Sequence, residues 1–378
     1  MKIVLVIDRF DPAKGGAERW ISLVLAELHA RGHSLHLCAT SWAEPLPAPM
    51  TCHRVRVPRF PRWCRDQAFA ARSAGPVQAI RPDLTIALRH VPWVDVYLAL
   101  GGLYCETLRA NLRAGPSLGR RLAYRMSPKY RVLLALERRL MTRQPAPLVL
   151  TPSPMVRQHC LDDFHYDPAR VVVVPHGIDL VKYQPADPGT RQQLRAGMQW
   201  GNETVALFVA HNFRLKGLPW LLKAWATLPA DRFRLVVAGR DRPPAAAARL
   251  PNVQFLGARA DLRALYQAAD YLVLPTFYDV FPMVMIEALA SGLPVITTRF
   301  NGAADLMTDG QEGFVLDDPR DTTALTDRFQ RLADPATRQR CAAAARRLAE
   351  RYPEAILLGQ TVYAIEAEAR RLRETATP

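Results

Sequence analysis

A chain of 378 residues, 49% of them apolar, can bury two cores of ordinary domain size, which excludes a disordered polypeptide. Fifty lysines and arginines stand against 35 acids, a net charge of +15, so the surface suits nucleic acid, an anionic membrane or a phosphorylated substrate. Six cysteines (Cys38, Cys52, Cys64, Cys105, Cys160 and Cys341) occur without C-x-x-C pairs, which argues against zinc or a disulfide framework and fits a reducing cytosol.

Lys2–Asp8 has the apolar run of a buried strand and is too short for a signal peptide. Pro12-Ala13-Lys14-Gly15-Gly16 follows, then an amphipathic helix to about Ala30 and a strand over Ser34–Ala39. This β–Gly-loop–α–β order opens a Rossmann-like domain. Gly15-Gly16 lets backbone approach a ligand ahead of a helix N-terminus, or is a simple tight turn; the G-x-G-x-x-G dinucleotide spacing is not there. The proline-rich stretch 42–64 reads as a surface excursion, and Asp83–Leu88 as a strand. His90 is as readily a satisfied structural histidine as a functional one.

Residues 104–143 carry ten basic side chains, among them Arg120, Arg121, Arg125 and Lys129, against Glu106 and Glu137. Leu118, Leu122, Met126, Tyr104, Tyr124 and Tyr130 are interleaved with them. Such a stretch predicts a membrane-surface element with its tyrosines at the headgroups. Its competitor is a pair of core-packing helices with a solvated basic face. No segment reaches the length of a membrane-spanning helix, so the expectation is a soluble or peripherally bound protein. Neither an aromatic RNA-binding motif nor a helix-turn-helix is visible, so no nucleic-acid partner is expected.

Leu148–Thr151 and Val171–Val174 complete the first set of strands, and polar 180–203 reads as a linker. The βαβ pattern then restarts with Val205–Ala210, a helix from about Leu218, Phe233–Ala238 and Val253–Leu256. The loop His211–Gly217 joins strand to helix, so Arg214 and Lys216 stand where they can neutralise a diphosphate. Tyr271–Leu274, a loop, a helix over Met283–Ala290 and Val295–Thr298 form the most informative unit. N–H groups of Phe281, Met283 and Val284 are predicted to face an anion at that helix start, and Pro282 suits its first turn. Asp279 and Glu287 bracket the turn, and a carboxylate accepts two hydroxyls of a vicinal diol. Singly, each acid is better explained structurally, Asp279 as a helix cap and Glu287 as a solvated helix face.

Together with Gly292-Leu293-Pro294-Val295 and Asn301-Gly302, the Asp279-x7-Glu287 pattern resembles the acid-x7-Glu motif of the retaining glycosyltransferases of family 4, with Asp279 where glutamate is usual. Pro175-His176-Gly177-Ile178-Asp179 is similar to that family's interdomain signature, and Asp95-Val96-Tyr97 to its lipopolysaccharide-core glucosyltransferase branch. The resemblance implies an α/β chain of the GT-B fold, two Rossmann-like domains facing a cleft. An acceptor-binding domain would span 1–180, a nucleotide-sugar-binding domain 181–353, and the last helix, 354–378, would pack back on the first domain. It further implies transfer of a hexose, glucose first, from UDP-glucose to a lipopolysaccharide-core heptose or similar glycolipid. Asp279 would contact the donor sugar, Glu287 the ribose, and Arg214 and Lys216 the diphosphate. Gly15, Gly16, Gly257, Arg259, Phe281, Pro282, Met283 and Val284 would complete the donor set, with His90 and Asp95 on the acceptor side. No metal and no cofactor beyond the nucleotide sugar is implied, and the place of action would be the cytoplasmic face of the inner membrane. Another family-4 transferase, or a non-catalytic subunit of the same fold that binds membrane or glycan, are the rival expectations.

Overall fold

The computed structural model describes residues 1–12, 15–115 and 117–376 and divides into two compact units. One comprises Met1–His176 with Ala355–Pro378, the other Gly177–Glu354. The divisions fall at 176/177 and 354/355, where the pattern puts them at 180/181 and 353/354.

The first unit contains β1 (Lys2–Val6), β2 (Arg9–Phe10), α1 (Gly16–Ala30), β3 (Ser34–Ala39), β4 (Ser41–Trp42), β5 (Thr51–Arg54), α2 (Arg65–Arg72), α3 (Ala74–Ile80), β6 (Leu84–Ala87) and β7 (Val96–Leu98). These are followed by α4 (Tyr104–Arg113), α5 (Leu118–Met126), α6 (Pro128–Met141), β8 (Leu148–Thr151), α7 (Pro154–Phe164) and β9 (Val171–Val173). Seven of the strands form a parallel sheet in the order β5-β3-β1-β6-β7-β8-β9, and β2 pairs with β4. Ile3, Val4, Leu5 and Val6 are all buried, as a strand must be when helices cover both faces of a parallel sheet. α1 buries Trp20, Ile21, Val24, Leu25 and Leu28, one stripe of an amphipathic helix.

The second unit contains α8 (Pro188–Gly197), β10 (Thr204–Val209), α9 (Leu218–Trp225), β11 (Phe233–Ala238), β12 (Val253–Gly257), α10 (Arg263–Ala268), β13 (Tyr271–Leu274) and α11 (Met283–Ala290). β14 (Val295–Thr298), β15 (Gly313–Leu316), α12 (Thr322–Ala333) and α13 (Pro335–Ala349) complete it. Its six strands are parallel, in the order β12-β11-β10-β13-β14-β15. The two units thus repeat one plan. In each, the first strand is central, the next two step out to one edge, and the chain then returns to the other side of the first. Loops leaving β1 and β6, and loops leaving β10 and β13, therefore diverge and leave a crevice at each switch point.

Three expectations need correction. Part of 42–64 is not an excursion: β5 pairs with β3, Cys52 opposite Leu37 and His53 opposite Cys38. An edge strand pairs on one side only, so it can lack the apolar run that marks a central one. Part of the linker 180–203 is the helix α8, started by Asp187, whose carboxylate accepts the Thr190 N–H at 3.0 Å, with Pro188 in the first turn. α8 buries no residue, so periodicity could not reveal it; instead its Arg191 and Arg195 hold the buried Asp270. Finally, β15 has no counterpart among the expected strands.

The C-terminal helix α14 (Glu354–Ala376) belongs, from Ala355 onward, to the first unit. Buried Glu368 takes both arms of the Arg170 guanidinium, at 2.7 and 2.8 Å, and a further bond from Arg371 at 2.7 Å. Burial would raise the Glu368 carboxyl, but the Arg170 and Arg371 hydrogen bonds outweigh it and hold the group below the ordinary glutamate value. A depressed acid contributes stability that is present above its unfolded pKa, about 4.3, and lost as pH falls through the folded value. Glu368→Gln is expected to cost about 3–5 kcal/mol in urea unfolding at neutral pH, because it strands a largely buried arginine. The difference from wild type should shrink as pH drops below about 4.

Candidate active site

Two loops meet at the switch point of the second sheet. The first, 210–217, leaves β10 and carries Arg214 and Lys216; the second, 275–282, leaves β13 and carries Asp279. The Phe277 N–H donates to the Leu215 carbonyl at 2.8 Å, which ties the loops backbone to backbone. Gly217, at φ +83°, permits the approach: a Cβ there would lie 2.0 Å from the Pro275 carbonyl oxygen. Within the first loop the Asn212 side chain accepts the Leu215 N–H at 3.1 Å, and Lys216 N–H reaches the Asn212 carbonyl at 2.9 Å. The Lys216 ammonium is thereby aimed across the gap, where it donates to the Tyr278 carbonyl at 3.0 Å and pairs with the Asp279 carboxylate.

Asp279 is fixed from its other side by Asn301-Gly302. Its N–H donates to the Phe300 carbonyl at 3.0 Å and its carbonyl accepts the Gly302 N–H at 2.8 Å. Buried Asn301 holds that turn, donating to Thr297 Oγ1 at 2.9 Å and accepting the Ala303 N–H at 3.0 Å. Glu287 is no solvated helix face. It is 7% exposed, and its two oxygens accept the hydroxyls of Tyr183 at 3.0 Å and Tyr266 at 2.9 Å. Burial first, and the adjacent Glu287 second, push the Tyr266 phenol well above its ordinary value, so it is a lasting donor. Neither tyrosine is legible as a site residue in the sequence: one lies in the supposed linker and the other in α10.

Phe281 is buried, and Pro282 is the N-cap of α11 rather than a residue of its first turn, so Met283 and Val284 begin the helix at the same crevice. Gly257 and Arg259 are not brought there. They follow β12, two strands removed from β10, and Arg259 lines a separate groove with Trp200 and Gln254.

In the first unit, Gly15 is the N-cap of α1 with φ −178°, an extended backbone that any residue can adopt, and Gly16 starts the helix. Ala13 and Lys14 of that loop lie outside the described residues. His90 lines a cavity at the other switch point, its Nε2 3.0 Å from the Tyr97 hydroxyl and 3.2 Å from the Glu137 carboxylate. Asp95 does not line it. Its carboxylate accepts the Thr85 N–H at 2.9 Å and the Thr85 hydroxyl at 2.7 Å, which pins the start of β7 to β6. The acceptor-side role expected for Asp95 is therefore corrected to a structural one.

Comparison with known proteins agrees with this geometry. The family model described as Glycosyltransferase Family 4 matches residues 14–182, and that described as Glycosyl transferases group 1 matches residues 203–334. The chain belongs to glycosyltransferase family 4. It is 27% identical over 321 residues to the lipopolysaccharide glucosyltransferase WaaG of Escherichia coli strain K12, covering 81% of this chain and 82% of the relative. A D-inositol 3-phosphate glycosyltransferase of Corynebacterium kroppenstedtii is 33% identical over 53% of this chain and 52% of its own length. Among solved structures, WaaG superposes with a TM-score of 0.83 at 24% identity, covering 97% of this chain and 99% of that one. Anabaena Alr3699/HepE, solved with UDP and glucose, superposes at 0.73 and 20% identity over 97% and 99% of the two chains. The fold is GT-B, with two Rossmann-like domains.

In this family-4 chain the basic stretch is not a uniform pair of core-packing helices. α6 buries Leu136, Glu137, Leu140 and Met141, whereas α5 buries nothing. Leu118, Leu122 and Met126 recur every fourth residue on α5 and are 84%, 56% and 68% exposed. Tyr124 meets Tyr130 edge to face with ring centroids 4.7 Å apart, and Tyr130 stacks towards Tyr104. The tyrosines expected at a lipid headgroup thus pack α5 onto its neighbours, and the aliphatic residues face outward. Pro116 lies outside the described residues.

The burial of Glu287 makes its removal a stability experiment. Glu287→Ala deprives the buried Tyr266 hydroxyl of its acceptor and should cost about 1–3 kcal/mol in urea unfolding. Adding Tyr266→Phe to that variant should recover part of the loss, since the stranded hydroxyl is then gone.

Proposed function

We propose that this chain transfers a hexose, glucose in the first instance, from UDP-glucose to a hydroxyl of a lipopolysaccharide-core heptose or similar glycolipid, with retention at the anomeric carbon and without a metal ion. The convergence of Lys216, Arg214, Asp279 and the α11 N-terminus at one switch point carries this reading. An ammonium has three N–H donors; Tyr278 and Asp279 take two from Lys216, and the third suits a phosphoryl oxygen. Arg214 adds a planar fork, and the first N–H groups of α11 add the positive end of a helix dipole. Charge held in place beside a leaving diphosphate stabilises it as the glycosidic bond breaks. Asp279 orients hydroxyls of the donor sugar, and Glu287, steadied by its two tyrosines, takes the ribose diol. The acceptor hydroxyl attacks from the face the diphosphate leaves, which assists by accepting the proton.

A glucosyltransferase relative and a UDP-and-glucose complex of the same fold support the donor assignment. The inositol-phosphate transferases favour a second reading, the same donor half serving another acceptor. Turnover with a panel of UDP-, GDP- and ADP-sugars tests the donor. Lys216→Ala should raise the barrier to UDP-glucose turnover by about 2–4 kcal/mol without changing the melting temperature, because it removes one preorganised charge. Near-normal turnover by Lys216→Ala and Arg214→Ala alike would refute the diphosphate assignment.

The same proposal places the protein at the cytoplasmic face of the inner membrane, held peripherally; among the described residues no helix is long and apolar enough to cross it. The outward leucines and methionine of α5, flanked by Arg121 and Arg125, suit an anionic surface. Each nearby cation contributes about 1 kcal/mol at such a surface, and the contribution weakens with salt. Vesicles containing anionic lipid should co-sediment the protein, and Arg120, Arg121 and Arg125 changed together to Gln should release it. Leu118→Ser with Leu122→Ser should abolish whatever binding persists at high salt. Unaltered lipid binding by both variants would remove α5 from the membrane contact.

A further inference from the structure

A cavity of about 290 Å³ opens in the second unit, at the end of its sheet away from the donor loops. Asp270 immediately precedes β13 and Leu293 lies just before β14, so the cavity borders the amino ends of these parallel strands. Arg214, Lys216 and Asp279 instead follow the carboxyl ends of β10 and β13. Arg191 of α8, Ser291 at the end of α11 and Arg338 of α13 wall it. Small-molecule sites begin at about 300 Å³, so the space takes a small ligand.

Three guanidinium groups converge here on one carboxylate. Buried Asp270 has Arg191 at 2.8 Å, Arg195 at 3.2 Å and Arg338 at 3.3 Å, and it accepts the Val205 N–H at 2.7 Å. One negative charge against three positive ones leaves two uncompensated, and among the described residues Asp270 is the only acid of the lining. Asp187 and Asp334, at the starts of α8 and α13, accept the Thr190 and Thr337 N–H groups as caps. Arg195 is saturated, since its nitrogens also donate to the carbonyls of Gly201, Glu203 and Ala268. Arg191 and Arg338 are not. Among the described residues, Nε and Nη1 of Arg191 and Nη2 of Arg338 donate to no protein acceptor. Both side chains line the cavity and are reachable from solvent, at 35% and 23% exposure. The carbonyls that end α11 would oppose an anion, but each already has a donor: Glu287 from Ser291, Ala288 from Leu293, Leu289 from Gly292 and Ala290 from Arg346. A phosphoryl group suits what remains. It carries about −1.5 to −2 charge at pH 7, and its oxygens accept from planar guanidinium forks. A carboxylate would leave one positive charge unmatched.

We propose that this cavity binds a phosphoryl dianion, inorganic phosphate or a small phosphomonoester, on the remaining donors of Arg191 and Arg338. Inorganic phosphate and glycerol 3-phosphate are titrated into the full chain by calorimetry at low chloride, with thermal melting in parallel. Lys216→Ala is titrated beside wild type, because phosphate held by the donor loops would be lost in that variant. Wild type and Lys216→Ala should bind at least one probe alike. Arg191→Gln should weaken that binding tenfold or more at an unchanged melting temperature, since Arg195, Arg338 and the Val205 N–H still hold Asp270. Gln339→Glu, in the lining but outside the Asp270 cluster, should weaken it too by setting a negative charge against the anion. Tighter binding of glycerol 3-phosphate than of phosphate assigns the site to a phosphomonoester; equal or weaker binding assigns it to the free ion. No binding of either probe by wild type, loss of binding in Lys216→Ala, or wild-type affinity in Arg191→Gln would overturn the proposal. If Arg191→Gln melts lower, Gln339→Glu decides: weakened binding at an unchanged melting temperature sustains the site, and wild-type affinity removes it.

Discussion

Two loops must touch at the centre of the second sheet, and Gly217 is what allows it. With a side chain there, the strand-to-helix turn after β10 would collide with the Pro275 carbonyl, and Lys216 could not reach across to Tyr278 and Asp279. The contact is closed on one side by the Phe277–Leu215 hydrogen bond and on the other by the Asn301-Gly302 turn, so the Asp279 backbone is held from two directions. A lysine and an aspartate on flexible loops would form a weak pair. Here the backbone has already been ordered by other bonds, and positioned charge of this kind is useful to a leaving diphosphate.

Both units open a crevice at the same topological point because the same path of chain produces it. A sheet that grows to one edge and then reverses leaves diverging loops beside its first strand. In the second unit this crevice gathers cations and a helix N-terminus, which suit phosphate. In the first the lining holds two acids, two cations and tyrosines. The same topology thus presents different side chains, and the difference lies in a few loop and helix positions.

Much of the excess positive charge has local employment. Arg191, Arg195 and Arg338 surround Asp270, Arg170 and Arg371 hold Glu368, and Arg109 bridges Glu106 and Asp163. The helix α5 is different, since its arginines flank exposed aliphatic residues with no buried face to anchor. An amphipathic helix carried outside the core needs another surface to repay its exposure.

The repeated βαβ order, the strands Tyr271–Leu274 and Val295–Thr298 and the helix Met283–Ala290 were legible in the sequence, because buried parallel strands are continuous apolar runs and the helix is bounded by proline and glycine. That Lys216 and Asp279 lie on two loops at one edge of the sheet was legible too, since each lies at a fixed distance from such a boundary. What only the tertiary structure decided are contacts between distant segments: Tyr183 and Tyr266 on Glu287, Thr85 on Asp95, and Asp8 and Asp66 facing one cavity. The edge strand β5 and the helix α8 escaped for a related reason, because elements that bury little leave little periodicity. Hydrophobic pattern records which side of an element is covered, whereas a polar partner across the fold is chosen by geometry that no local spacing encodes.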